Sequence, residues 1–196
     1  MNEENILNLP KNKYRYPILI NKESTTHEFI YFWSRQYLDG KYSEKYYEDN
    51  INKEFTELSL KQLLEWKNGM SLSPNKRKIL DKSVLHIADL RNFRDRKVDK
   101  LPKLTNGLVW TIFFKHICRP EEFPMIDQHA YRAFLYIVHG IPQKKIQGND
   151  LIDKYDEFKE YVFRLSNDHQ IELRIIDKAF MAYGQFLKSQ FYKMIG

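Results

Sequence analysis

Cysteine is almost missing from this chain, with Cys118 standing alone among 196 residues. A single thiol excludes an internal disulfide, a cysteine-ligated zinc site and a cysteine-held iron–sulfur cluster, and it fits a reducing compartment. Glycine and proline are scarce too, at seven each. That leaves too little turn chemistry for a many-stranded β fold and points to an all-α chain. No apolar run approaches the roughly 18 residues of a membrane span, and Met1-Asn2-Glu3-Glu4 has neither the positive start nor the apolar stretch of a signal peptide. The expectation is a cytoplasmic protein with no membrane partner.

What is present is a hydrophobic content of 42% beside 30% charged residues, the balance of a soluble globule rather than of a disordered chain. At this length a single domain, or at most two helical lobes, buries close to about 70% of its unfolded surface. Residues 1–23 read as an irregular arm. Thr25 and Glu28 form a capping box for a helix that Gly40 closes. Ser59 and Gln62 repeat the device ahead of a helix that stops at Asn68-Gly69. Ser73-Pro74 supplies an N-cap and a first-turn proline for one helix over about 74–91. Leu101-Pro-Lys-Leu-Thr-Asn-Gly107 is a compact turn, and the apolar run after it predicts a central buried helix capped by Thr105 or Asn106, with Trp110 in the core. Helices over about 128–138, 150–165 and 171–190 complete a globule of seven to nine. Two lobes are expected, about 24–72 with 166–196, and 73–165. Gly184, inside the last helix, predicts a close helix contact.

One segment carries candidate chemistry: Phe123-Pro-Met-Ile-Asp127-Gln-His129-Ala-Tyr-Arg132. Asp127 sits where an apolar loop meets a helix start. There a carboxylate accepts first-turn N–H bonds and feels the positive helix end, both of which favour its ionised form. Such a group stabilises a cation or activates a water; the plain alternative is an ordinary N-cap, with His129 a packed imidazole and Arg132 a helix-face cation. His116 and His139 have no carboxylate at metal-ligand spacing and read as structural, so no metal or other cofactor is expected. Trp66, beside Lys67-Asn68-Gly69, is a candidate lining residue of a cleft. Arg174, Asp177 and Lys178 make an intrahelical charge pattern.

The order Leu101-Pro102, a turn bearing Gly107, an apolar helix, Arg119-Pro120, then Pro124-x-x-Asp127-x-His129-x-x-Arg132 resembles the core of the helix-hairpin-helix DNA glycosylase superfamily, especially its oxoguanine-glycosylase-like bacterial branch. The matching stretch, about residues 101–138, is a fifth of the chain. The resemblance implies a two-lobed all-α fold acting on double-stranded DNA. Its hairpin grips the backbone, the damaged nucleotide is flipped into a cleft between lobes, and Asp127 assists loss of the base, with His129 and Arg132 supporting the site. The family hairpin reads Leu-Pro-Gly-Val-Gly, whereas this turn has one glycine; the resemblance then implies a remodelled grip with side-chain donors from Lys103 and Asn106. Bifunctional members open the next helix with a lysine nucleophile. Here that window holds Gly107, Leu108 and Val109, and Lys115 lies at the far end, so a monofunctional enzyme is implied. A non-catalytic DNA- or protein-binding module of the same fold is the alternative, and a helical interaction protein without a nucleic-acid role is the third.

The charge is patterned to match. Net charge is +6, and residues 74–103 alone hold ten cations against four acids, a basic block leading into the turn. DNA contact is thereby assigned to Lys100, Lys103, Asn106 and Gly107, and a DNA-bound protein would associate with the nucleoid.

Overall fold

In a computed structural model the chain is all-helical, with residues 25–37, 44–140 and 148–188 described. The expected arm at 1–23, the closing Gly40 and the end of the last helix lie outside those residues. The chain divides into two compact units. Residues 1–38 and 124–196 form the first, and 39–123 the second. This differs from the expected lobes: the 57–68 helix belongs with the basic block, and the Asp127 helix with the helices over 26–35 and 173–186.

In the first unit, α1 (Thr26–Arg35), α7 (Gln128–His139), α8 (Gly148–His169) and α9 (Leu173–Phe186) pack around α9, which touches each of the other three. The Thr25–Glu28 capping box forms as expected, Thr25 Oγ1 accepting from the Glu28 N–H and Glu28 Oε2 from the Thr25 N–H. Phe29 and Trp33 then meet Tyr183 of α9 at ring-centroid distances of 5.1 and 5.0 Å. On the other side Phe134 of α7 stacks edge-on against Phe158 of α8 at 5.6 Å. Such aromatic pairs each add about 0.5–1.5 kcal/mol beyond the area they bury. Every residue of α7 from Ala130 to Ile137 is buried, the polar Arg132 among them.

The second unit holds α2 (Lys45–Glu48), α3 (Glu57–Asn68), α4 (Pro74–Leu85), α5 (Ile87–Arg94) and α6 (Leu108–Cys118). α3 starts a turn earlier than expected: Thr56 and Ser59 cap each other reciprocally, the two N–H···O distances being 2.8 and 3.1 Å. A hydroxyl at the third helical position substitutes for the usual Glu or Gln. The expected helix over 74–91 is two helices, broken at His86 with φ −108° and ψ 24°. Ser83 turns its hydroxyl back onto the Leu80 carbonyl, 2.7 Å away, just before the break. His86 Nδ1 is then taken by the Asp89 carboxylate at 2.7 Å. Side chains that bond locally to the backbone compete with helix continuation in this way. Pro74 does open α4, but Ser73 makes no side-chain cap.

α6 is a helix, as its length predicts, yet neither Thr105 nor Asn106 caps it; Gly107 holds the N-cap position without a side-chain bond. Trp110 is half-buried rather than core, with Lys76 Nζ 5.7 Å from its ring. The buried His116 is structural, as read. Its Nδ1 contacts the Phe123 carbonyl at 2.8 Å and must donate, and in the neutral ring Nε2 then accepts from the Tyr47 hydroxyl, also 2.8 Å away.

Candidate functional site

Local sequence fixes Asp127 from both sides. Pro124, Met125 and Ile126 are buried, and the Pro124 carbonyl accepts from the Tyr155 hydroxyl at 3.0 Å, so the approach to α7 is held on α8. Asp127 itself is extended (φ −140°, ψ −176°) and is the N-cap of α7. Its Oδ1 accepts from the His129 and Ala130 N–H groups at 2.7 and 2.9 Å. Oδ2 receives no hydrogen bond among the described residues, and the side chain is half-exposed. One oxygen is thus anchored on the helix dipole while the other is left without a hydrogen bond among the described residues, an arrangement that can accept a proton or stabilise a cation.

His129 and Arg132 follow in the first turn and the next. Arg132 is 1% exposed; its Nη1 lies 3.1 Å from His129 Nδ1 and 3.3 Å from the carbonyl oxygen of Gly184 on α9. Gly184 is the predicted close contact. A Cβ there would meet the His129 carbonyl group head-on, with the carbonyl carbon at 2.5 Å and Cα at 2.9 Å. Burial lowers the His129 pKa from 6.5, and Arg132 and Lys188 push the same way against the opposing pulls of Asp127 and the Gly184 backbone. The structure therefore brings Asp127, His129 and Arg132 together. Gly184 of α9 and Lys188, two residues past the end of α9, also bear on His129 and belong to the same cluster, and only the glycine left a trace in the sequence.

The turn residues form a separate group on the second unit. Lys100, Lys103, Asn106 and Gly107 are all exposed, around a concavity of about 180 Å³ lined by Leu101 to Thr105, Thr111 and Phe114. Leu104 anchors it in the core at 4% exposure. Thr105 Oγ1 accepts from the Gly107 N–H at 3.1 Å, and the Gly107 carbonyl accepts from the Thr111 hydroxyl at 3.1 Å. Gly107 has φ −86°, a conformation open to any residue, and an added Cβ would make only ordinary contacts at 3.7 Å. Lys100 and Lys103 make no ion pair among the described residues. The loop carrying Lys97 and Lys100 is tied down by the buried Arg119, whose guanidinium donates to the carbonyls of Phe93 (2.8 Å) and Val98 (3.3 Å), a role its place in the sequence motif does not reveal.

Trp66, the candidate pocket wall, is 8% exposed. Its Nε1 donates to Glu44 Oε2 at 3.2 Å, and its ring lies 4.5 Å from that of Tyr47, a core placement within the second unit. His139 pairs with Glu157 across 2.8 Å, and the expected Arg174–Asp177 ion pair forms within α9. Among the described residues no cluster of three or more His, Cys, Asp or Glu stands ready for a metal, and no helix is long and apolar enough to cross a membrane. Comparison of the chain with protein-family models, curated proteins and solved structures finds no match in any of the three.

Proposed function

We propose that this protein is a monofunctional DNA N-glycosylase, a hydrolase that removes a damaged base, such as an oxidised one, from double-stranded DNA. The observation that carries the reading is the Asp127 carboxylate, anchored through Oδ1 on two backbone N–H groups with Oδ2 free of hydrogen bonds among the described residues. A water oxygen bonds to the sugar C1′ as the C1′–N bond breaks. The bonding pair leaves with the base, which takes up a proton from solvent water, and the proton of the attacking water passes to Asp127, which returns it to solvent afterwards. The same carboxylate stabilises the oxocarbenium-like sugar by its charge. Lys115, at the C-terminal end of α6, has its Nζ 5.2 Å from the Phe123 ring, and residues 107–109 supply no amine, so the mechanism uses no Schiff base. Lys100, Lys103, Asn106 and Gly107 would contact the DNA backbone.

The test is base release from duplexes carrying oxoguanine, alkylated bases or uracil, followed by alkali cleavage, for wild type and Asp127→Asn. Release by wild type and its loss in the variant are expected. Activity surviving in Asp127→Asn overturns the mechanism, and a borohydride-trapped covalent adduct overturns the monofunctional assignment. The second reading, a non-catalytic DNA-binding module, is favoured by the long irregular connection between α5 and α6, unlike a tight hairpin. Salt-sensitive duplex binding without base release on the whole panel would establish it.

A further inference from the structure

We infer that Arg132, held on the Gly184 carbonyl, is a positioning residue that fixes the His129 imidazole as the tautomer bearing its proton on Nε2. A guanidinium has five N–H donors and no acceptor. The 3.1 Å contact between Arg132 Nη1 and His129 Nδ1 is therefore attractive only when Nδ1 offers its lone pair, which leaves the ring proton on Nε2. The guanidinium has little freedom to turn away. It is 1% exposed, and the same Nη1 reaches the Gly184 carbonyl at 3.3 Å. That carbonyl comes within reach because residue 184 has no Cβ, and α9 lies directly against the His129 backbone.

The charged groups around the ring set its charge state, and a single tautomer requires the ring to be neutral. Asp127 on the same helix end and the Gly184 carbonyl from α9 draw a second proton onto the imidazole. Burial opposes this most strongly, joined by the positive charges of Arg132 and of Lys188, just past the end of α9. The opposing side prevails, and the ring stays neutral at pH 7.

The role rests on the glycosylase reading given above. Beside Asp127 the site then offers an uncharged N–H donor, suited to an acceptor atom of the bound nucleotide. An imidazolium in its place would repel the positive sugar that forms as the base departs and would weaken the field of the carboxylate. A neutral donor binds without that penalty.

Long-range ¹H–¹⁵N correlation spectra of the full-length chain, labelled at the histidine ring nitrogens and recorded between about pH 5 and 8, test the inference without DNA. The expected result for His129 is the Nε2–H pattern at pH 7, with a titration midpoint below the ordinary value of about 6.5. Arg132→Met, which keeps bulk and removes the donors, should give a mixed tautomer pattern and a raised midpoint, and Arg132→Lys should restore Nε2–H. An Nδ1–H pattern or an imidazolium at pH 7 in wild type overturns the proposal, as does an unchanged pattern in Arg132→Met. The wild-type spectrum decides even where a variant fails to fold. Because no base release is measured, failure of the glycosylase assignment leaves this outcome readable by itself.

Discussion

Asp127 has a structural task as an N-cap and, in the proposed reaction, a chemical one, and substitution can separate the two. As an N-cap it satisfies two of the four orphan N–H groups at the start of α7, and losing such a cap costs about 1 kcal/mol. Asparagine is as good an N-cap but carries no charge. Asp127→Asn should therefore change stability by less than about 0.5 kcal/mol while base release falls by about 10²–10⁴-fold. Asp127→Ala should lose both, as thermal unfolding and the release assay would show together. His129 gives the residue-scale pH signature. Its folded pKa lies below the unfolded value near 6.5, so in the window below 6.5 the unfolded chain binds more protons and stability falls as pH drops. In His129→Gln that part of the acid sensitivity should disappear, read from denaturant midpoints at pH 5 and 7.

At the scale of elements, the contact between α9 and the start of α7 decides how well Asp127 is held. Gly184→Ala would gain helix propensity, worth up to about 1 kcal/mol, but its Cβ lands on backbone atoms of His129 that cannot rotate aside. The overlap should win, with a net loss on the order of 3 kcal/mol in thermal unfolding; a neutral or stabilising result would mean that α9 sits further from α7. This contact was half legible in the sequence. A glycine inside a helical pattern announces a close approach, yet nothing local says which helix approaches. The same boundary runs through the rest of the fold. The Thr25–Glu28 box and Asp127 as a cap were readable because both partners lie within one turn, and α6 because its apolar run outlasts a strand. The break at His86 was not, since Ser83 and Asp89 are tolerated in helices and only their particular bonds divert the chain. The true start of α3 was missed because two hydroxyls, Thr56 and Ser59, share a task usually given to a hydroxyl and an acid. Of the site, Asp127, His129 and Arg132 were legible from one short motif. The burial of Arg132 and the approach of Lys188 depend on α9 and the residues just after it, some fifty residues along, where no periodicity carries the information.

Over the whole molecule the charge is unevenly shared. The second unit holds seventeen basic and thirteen acidic residues, so it carries four of the six net positive charges. The basic block seen in the sequence is not uniformly available for a polyanion. Arg91 pairs with Glu54 and donates to the Phe55 carbonyl. Arg94 donates to the Lys53 carbonyl at 2.7 Å, Arg96 pairs with Glu122, and Lys97 pairs with Asp95 at 3.0 Å. These cations are spent inside the unit, whereas Lys78, Lys82, Lys100 and Lys103 are exposed without an ion pair among the described residues. If the unit grips duplex DNA, the two sets must behave differently. Each of Lys100→Ala and Lys103→Ala should weaken binding equally across sequences and reduce the slope of log affinity against log salt by about one, with unchanged unfolding. Lys97→Ala should move the slope less, its charge being already opposed by Asp95. Arg91→Ala should act on stability first, since it strips donors from a carbonyl of the fold. Titration of a labelled duplex at several salt concentrations measures the three lysine variants, and thermal unfolding measures Arg91→Ala. Equal slopes for Lys100→Ala, Lys103→Ala and wild type would take the turn out of the interface, and with it the assignment of DNA contact to this face of the molecule.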